Sequence, residues 1–68
     1  MEEQIHNLMM ELEGKDKILA HQTTLLFDLN NKLFPDSKEY TRGCPACRER
    51  AYKRVSTYWK NNIREKYI

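Results

Sequence analysis

The sequence predicts an all-α protein folded as a helical hairpin, with a long N-terminal coiled-coil-like helix and a shorter basic C-terminal helix. Apolar residues recur at helical spacing through most of the 68 residues. The chain holds two glycines and two prolines, few for a β-rich or loop-rich fold. The prolines lie at the junction between the two periodic segments. These observations divide the chain into a helix over 1–33, a connector over 34–43 and a CPAC motif with a basic helix over 44–68.

The first helix is predicted from a heptad pattern. Its main apolar positions are separated by 3, 4, 7, 7, 3 and 4 residues, the a/d spacing of a coiled coil. We expect this stripe to be the surface that contacts a partner, and its residues are Ile5, Leu8, Leu12, Leu19, Leu26, Leu29 and Leu33. Met9, Ile18 and Leu25 widen the stripe, whereas Lys15 and Gln22 place polar layers in its middle.

Gly14 offers an alternative to one continuous helix. Glycine costs about 1 kcal/mol relative to alanine inside a helix. A helix ending at Gly14 and a second helix capped by Asp16 is therefore the other interpretation, and we favour the continuous helix over 1–33. Phe27 and Phe34 lie seven residues apart on a different face, where we expect them to meet the second half of the chain.

Two prolines bound the elements of the second half. Pro35 is predicted to end the first helix, because the residue before a proline disfavours helical geometry. The ten residues of the connector are enough to reverse the chain. Pro45 suits the first position of a helix, which places Cys44 at the N-cap, although a thiol is a weak hydrogen-bond acceptor there.

The charges are divided between the two halves of the chain. Residues 1–41 hold four lysines and eight carboxylates, a net charge of −4, and residues 42–68 hold eight Lys or Arg and two glutamates, a net charge of +6. Either the halves lie antiparallel and neutralise each other, or the basic helix binds nucleic acid. The nucleic-acid alternative would use Arg48, Arg50, Lys53, Arg54, Lys60 and Arg64.

Aromatic residues alternate with these cations along the basic helix. They are Tyr52, Tyr58, Trp59 and Tyr67. Cations combined with aromatic platforms are typical of sequence-independent binding to single strands. The aromatic residues follow the apolar face, however, and if they are core, only phosphate contacts remain for a nucleic acid.

The CPAC motif over 44–47 is the one chemical motif of the sequence, and four interpretations are open. A redox pair at a helix N-terminus would normally follow a strand, which is not predicted. Zinc needs four ligands, and His6 and His21 are expected on the first helix, facing solvent and far from the motif. A zinc site would therefore be a four-thiolate site formed by Cys44 and Cys47 of two chains. The remaining interpretations are a disulfide and, our preference, a pair of small buried apolar residues.

Length and composition exclude several classes of protein. No Ser/His/Asp set, paired carboxylates or glycine-rich phosphate loop is recognisable, so we expect neither catalysis nor a small-molecule substrate. No apolar run approaches a membrane span, and the acidic N-terminus does not resemble a signal peptide. We expect a reducing intracellular location, either the cytoplasm of a host cell or a virion. A mean hydropathy of −0.88 in so short a chain favours a partner, either itself or a larger protein assembly.

Two resemblances add to these expectations. A CPxC turn between helices, here Cys44, Pro45 and Cys47, resembles the zinc hook of the SMC-like ATPases of DNA double-strand-break repair, in which two copies share one zinc ion. The hook usually continues with glycine, whereas Arg48 follows here, and the chain has no ATPase segment. As a whole, the chain is similar to small helical accessory and virion proteins of tailed bacteriophages. That similarity implies a non-enzymatic structural or adaptor protein that oligomerises or docks onto a larger assembly.

Overall fold

The computed structural model describes residues 2–14, 17–41 and 43–67. These residues form three α-helices and one short 3₁₀ helix: α1 (Glu2–Leu12), α2 (Ala20–Leu33), α3 (Pro45–Asn62) and the 3₁₀ helix Arg64–Tyr67. They include no strand, and the prediction of an all-α fold is confirmed. None of the helices in these segments has the length and apolar content needed to cross a membrane.

The first half of the chain is two helices, and the prediction of one continuous helix over 1–33 is wrong. α1 ends at Leu12, and Gly14 has a φ of 78°. Glycine adopts this left-handed conformation readily because it has no Cβ, so it commonly ends a helix. The alternative of a break at Gly14 is therefore correct. The cap expected at Asp16 and the polar layer expected at Lys15 lie outside the described residues.

α2 begins without a conventional N-cap side chain. Leu19 holds the N-cap position, and its backbone N–H donates to Oε1 of Gln22 at 2.9 Å. The hydroxyl of Thr23 donates a hydrogen bond to the Leu19 carbonyl at 3.2 Å. Gln22, expected as a polar layer in the middle of a coiled coil, instead satisfies the backbone at the start of a helix.

The chain does not form the predicted hairpin, because α3 runs in the same general direction as α2. At one end, Phe34 meets Tyr58 near the end of α3, with ring centroids 6.3 Å apart. At the other end, Gly43, just before α3, lines a groove together with Ala20 and His21 at the start of α2. The connector therefore returns along α2 before α3 begins.

α1 runs in the opposite direction to α3. Glu2, at the start of α1, lies 3.1 Å from the ammonium group of Lys66 in the 3₁₀ helix. Leu12, at the end of α1, lines a groove with Pro45 at the start of α3. The antiparallel pairing expected between the two halves of the chain therefore occurs between α1 and α3.

The three helices enclose one apolar core. Its buried residues are Ile5, Leu8, Met9, Leu12, Leu26, Phe27, Leu29, Ala51, Val55, Trp59 and Ile63. Most of the predicted contact stripe is part of this core, except that Leu33 is partly buried and Leu19 is 57% exposed. The stripe therefore packs within the chain and does not offer a continuous surface to a partner. Phe27, in this core, and Phe34, against Tyr58, agree with the expectation that both meet the second half.

Candidate functional site

A group of polar side chains, which we call the polar clamp, holds the connector against α2. It consists of Asn30, Asn31, Ser37, Glu39 and Arg54. The Asn30 amide donates to the Ser37 carbonyl at 3.0 Å, and the Asn31 amide donates to the Glu39 carbonyl at 3.1 Å and accepts from the Glu39 N–H at 2.8 Å. Because these bonds tie the connector backbone to the last turns of α2, the chain turns back along that helix.

The carboxylate of Glu39 is the centre of the clamp. It is only 9% exposed and lies 2.9 Å from Nη1 of Arg54 and 3.3 Å from Nε of Arg50. Hydrogen bonds from Arg50 and then Arg54 lower the pKa of Glu39 below its usual range, despite the opposing effect of burial. Glu39 belongs to the acidic half and the two arginines to the basic half. These ion pairs therefore agree with the expectation that the two halves of the chain neutralise each other.

The two thiols lie beside this clamp at the start of α3. Cys44 is the N-cap and Pro45 the first helical residue, as predicted. The sulfur of Cys44 accepts from the backbone N–H of Cys47 at 3.1 Å, so it does serve as a cap. The sulfur of Cys47 accepts from Nη2 of Arg50 at 3.3 Å, and both cysteines are partly exposed.

The two thiols have different acidities. The pKa of Cys44 is lowered because the Cys47 thiol and then the Cys47 backbone N–H donate hydrogen bonds to its sulfur. The same bond raises the pKa of Cys47, which acts as the donor. Arg50 contacts both Cys47 and Glu39 and so joins the thiol pair to the polar clamp. The first thiolate of the pair forms at Cys44.

His21 lines a groove with Gly43 and Arg48, which flank the thiol motif, so it lies nearer the motif than expected. His21 is exposed on α2. His6, expected to face solvent, is partly buried: its Nδ1 accepts from the Trp59 indole N–H at 3.0 Å, and its ring stacks on Tyr67 at 4.4 Å. Within the described ranges, no three His, Cys, Asp or Glu residues group together as a metal site. One chain thus brings the thiols of Cys44 and Cys47 together as a pair.

Several of the six cations predicted to bind nucleic acid make contacts within the fold. Arg50 and Arg54 bind Glu39, and the guanidinium carbon of Arg64 lies 5.6 Å from the centre of the Trp59 ring. A cation over an aromatic face is attracted by the charge distribution of the ring. These three arginines therefore contribute to the structure, and the six cations do not form one uncommitted basic surface.

The remaining cations and the aromatic residues are more accessible. Lys53 and Lys60 are exposed on the outward side of α3, and Arg48 is partly buried. Trp59 is buried as expected for a core aromatic, but Tyr58 is only partly buried. Tyr52 is also partly buried, and Tyr67 is exposed. Of the two alternatives for the aromatic residues, the core position therefore holds for Trp59, whereas Tyr52 and Tyr58 are at its edge and Tyr67 is outside it.

The polar clamp was not predicted from the sequence. Asn30 and Asn31 fall within the helix predicted over 1–33, outside its apolar stripe, and Glu39 is one of the eight carboxylates of the acidic half. Adjacent asparagines in a helix carry a usable signal, because asparagine competes for backbone hydrogen bonds and is a poor helix former. Two of them before Pro35 indicate side chains that bind the following loop.

Together these features define a small all-α protein with a thiol pair on its surface, attached through one arginine to a buried polar clamp. No family model matches the chain, and no curated protein or solved structure is significantly similar to it. The case for its function therefore rests on the geometry and chemistry of the site.

Proposed function

We propose that this protein is a non-enzymatic structural or adaptor protein that oligomerises or docks onto a larger assembly. We further propose that Cys44 and Cys47 of two chains share one zinc ion and so join two copies. The observation that carries the proposal is the thiol pair itself, partly exposed and in contact with Arg50. A structural zinc site takes four ligands in a tetrahedron, and this pair supplies two.

The arrangement around the sulfurs suits a metal thiolate. The two thiols lie within hydrogen-bonding reach of each other at the start of α3. The backbone N–H of Cys47 donates to one sulfur and Arg50 donates to the other. Four thiolates around Zn²⁺ carry a net charge of −2, and donors to the sulfurs offset that charge and orient the ligands.

The proposed contact between copies does not use the leucine stripe. Most of the stripe is buried in the chain's own core. The surface proposed to join two copies therefore lies at the start of α3. The resemblance to small bacteriophage proteins stays a prediction, as does a location in a virion or a host cytoplasm. It agrees with the proposal in implying a structural or adaptor role.

The proposal is tested by measuring mass and zinc content together on the reduced full chain. With zinc supplied, light scattering should give twice the chain mass of 8.2 kDa, and elemental analysis should give one zinc for every two chains. Chelation should return the mass to that of one chain, because the proposed link is the metal.

The key variant is Cys44→Ser. Serine is a better N-cap acceptor than cysteine, so α3 keeps its start while the metal-binding sulfur is lost. We expect an unchanged circular dichroism spectrum, no zinc and no zinc-dependent dimer; Cys47→Ser should behave alike. Zinc bound by a monomer, or zinc retained in Cys44→Ser, would refute the shared site. A chain that remains monomeric under all conditions would refute self-association.

A further inference from the structure

A second surface, distant from the thiols, is a groove between the end of α2 and the outward side of α3. Its volume is about 510 Å³. Phe34 and Tyr58 form its aromatic wall, with their rings perpendicular and their centroids 6.3 Å apart. Lys53, Thr57 and Asn61 line it with exposed polar groups. The groove therefore combines aromatic surface, a cation and an amide in one place.

The charge of this groove is positive. None of the described residues that line it is acidic; Lys53 is its accessible cation, whereas Arg54 at its edge is paired with Glu39. Lys53 contacts Glu49 at 3.1 Å, but both side chains are mostly exposed, so the pair contributes little and its cation is accessible to another anion. Lys60 is also exposed on the outward side of α3. An anionic ligand would meet two accessible lysines along this surface.

We propose that this groove binds single-stranded nucleic acid. A base packs against Tyr58 and Phe34, the Asn61 amide hydrogen-bonds the edge of the base, and Lys53 contacts a phosphate. Aromatic side chains hold unpaired bases with little regard to sequence, and an amide offers both a donor and an acceptor to a base edge. In a duplex the bases are stacked inside and do not reach such a wall.

This ligand explains more of the groove than an acidic peptide does. Carboxylates would use the lysines but would leave the aromatic wall and the Asn61 amide without a role. The proposal also differs from binding by all six basic residues, since Arg50 and Arg54 are both paired with Glu39. It does not depend on the zinc site, which lies at the opposite end of α3.

Fluorescence anisotropy with a labelled oligothymidylate of about 15 nucleotides tests the proposal. Affinity should fall between about 50 mM and about 200 mM salt, since phosphate contacts release counterions. Tyr58→Leu should weaken binding about fivefold or more, whereas Tyr58→Phe, which keeps the ring, should bind like the wild type. Asn61→Ala should also weaken binding, and its exposed position keeps the fold intact.

A charge-matched control separates this site from general attraction. Lys53→Gln should lower both affinity and its salt dependence more than Lys17→Gln, which removes an exposed lysine beside the other end of α3. Absence of binding at low salt overturns the proposal, as do equal effects of the two lysine variants. If Tyr58→Leu fails to fold, unchanged binding by Asn61→Ala overturns it. An oligoglutamate peptide that binds the wild type and Tyr58→Leu equally, and displaces the oligonucleotide, would assign an acidic partner instead.

Discussion

Replacing Asn30 by alanine is the most direct perturbation of the fold. Asn30 is fully buried, and its amide donates to the Ser37 carbonyl and to Oδ1 of Asn31, each at 3.0 Å. Its own oxygen receives a long contact of 3.5 Å from Nη1 of Arg54. The change therefore removes one of the two asparagines that tie the connector to α2. It leaves the Ser37 carbonyl and Oδ1 of Asn31, both on partly buried residues, with one hydrogen bond fewer each.

The size of the effect follows from these contacts. Each of the two shorter hydrogen bonds contributes about 1 kcal/mol. We expect Asn30→Ala to lose about 2–3 kcal/mol of unfolding free energy. A chain of this length has a total of about 3–10 kcal/mol. The loss corresponds to a fall of about 10–20 °C in melting temperature for a domain of this size.

Circular dichroism during urea and thermal unfolding measures this loss, with Asn7→Ala on the exposed side of α1 as the matched control. Limited trypsin digestion of the folded protein adds a local readout at Lys38, an exposed residue of the connector. Cleavage there should accelerate in Asn30→Ala and not in the control. A change in unfolding free energy below about 0.5 kcal/mol, with unchanged cleavage, would refute the role assigned to the clamp.

Three further predictions concern acidity and the backbone. The folded-state pKa of Glu39 is lowered from about 4.5, so its ion pairs stabilise the fold above that pH and are lost as the pH falls through the lower value. Urea unfolding should therefore show a larger loss between about pH 5 and pH 3 for the wild type than for Glu39→Gln, and an equal loss would contradict this. At neutral pH, iodoacetamide should label Cys44 before Cys47, since the pKa of the first thiol is lowered and that of the second raised; peptide mapping showing the reverse order would contradict it. Gly14→Ala should cost about 1 kcal/mol because φ is 78°, whereas Gly43→Ala, with open space around its Cα, should unfold like the wild type.

The helix ends that proline marks could be predicted from the sequence. Pro35 correctly placed the end of α2, which stops at Leu33, and Pro45 correctly placed the start of α3 with Cys44 as its N-cap. Proline acts through its own ring and its missing N–H, so its effect depends on the neighbouring residues alone. The effect of a proline on a helix end therefore holds whatever tertiary structure the rest of the chain adopts.

The prediction of a continuous helix over 1–33 is wrong because the heptad pattern carries no information about a break after α1. Ile5, Leu8 and Leu12 belong to the same apolar stripe as Leu26 and Leu29, whether the segment is one helix or two helices around one core. Periodicity reports which side of a helix is apolar and is insensitive to a turn between its repeats. The backbone conformation at Gly14 is the feature that separates the two outcomes.

The direction of α3 could not be predicted from helical patterns. A connector of ten residues is long enough either to reverse the chain or to return along α2. The choice depends on hydrogen bonds from Asn30 and Asn31 to the backbone of Ser37 and Glu39, seven and eight residues away. Such bonds leave no periodic signature, because each joins one side chain to one distant peptide group.

The same clamp links the path of the chain to the chemistry of the thiols. Glu39 reaches Arg50 only because the connector is held along α2, and Arg50 in turn contacts the sulfur of Cys47. Glu39 raises the pKa of Arg50 and helps to hold its guanidinium in place. A substitution in the clamp, such as one of Asn30 in α2, should therefore alter the position of Arg50 and with it the contact of Arg50 with Cys47. The CPAC motif is recognisable in the sequence, but it is positioned by residues of the polar clamp, which the sequence patterns did not identify.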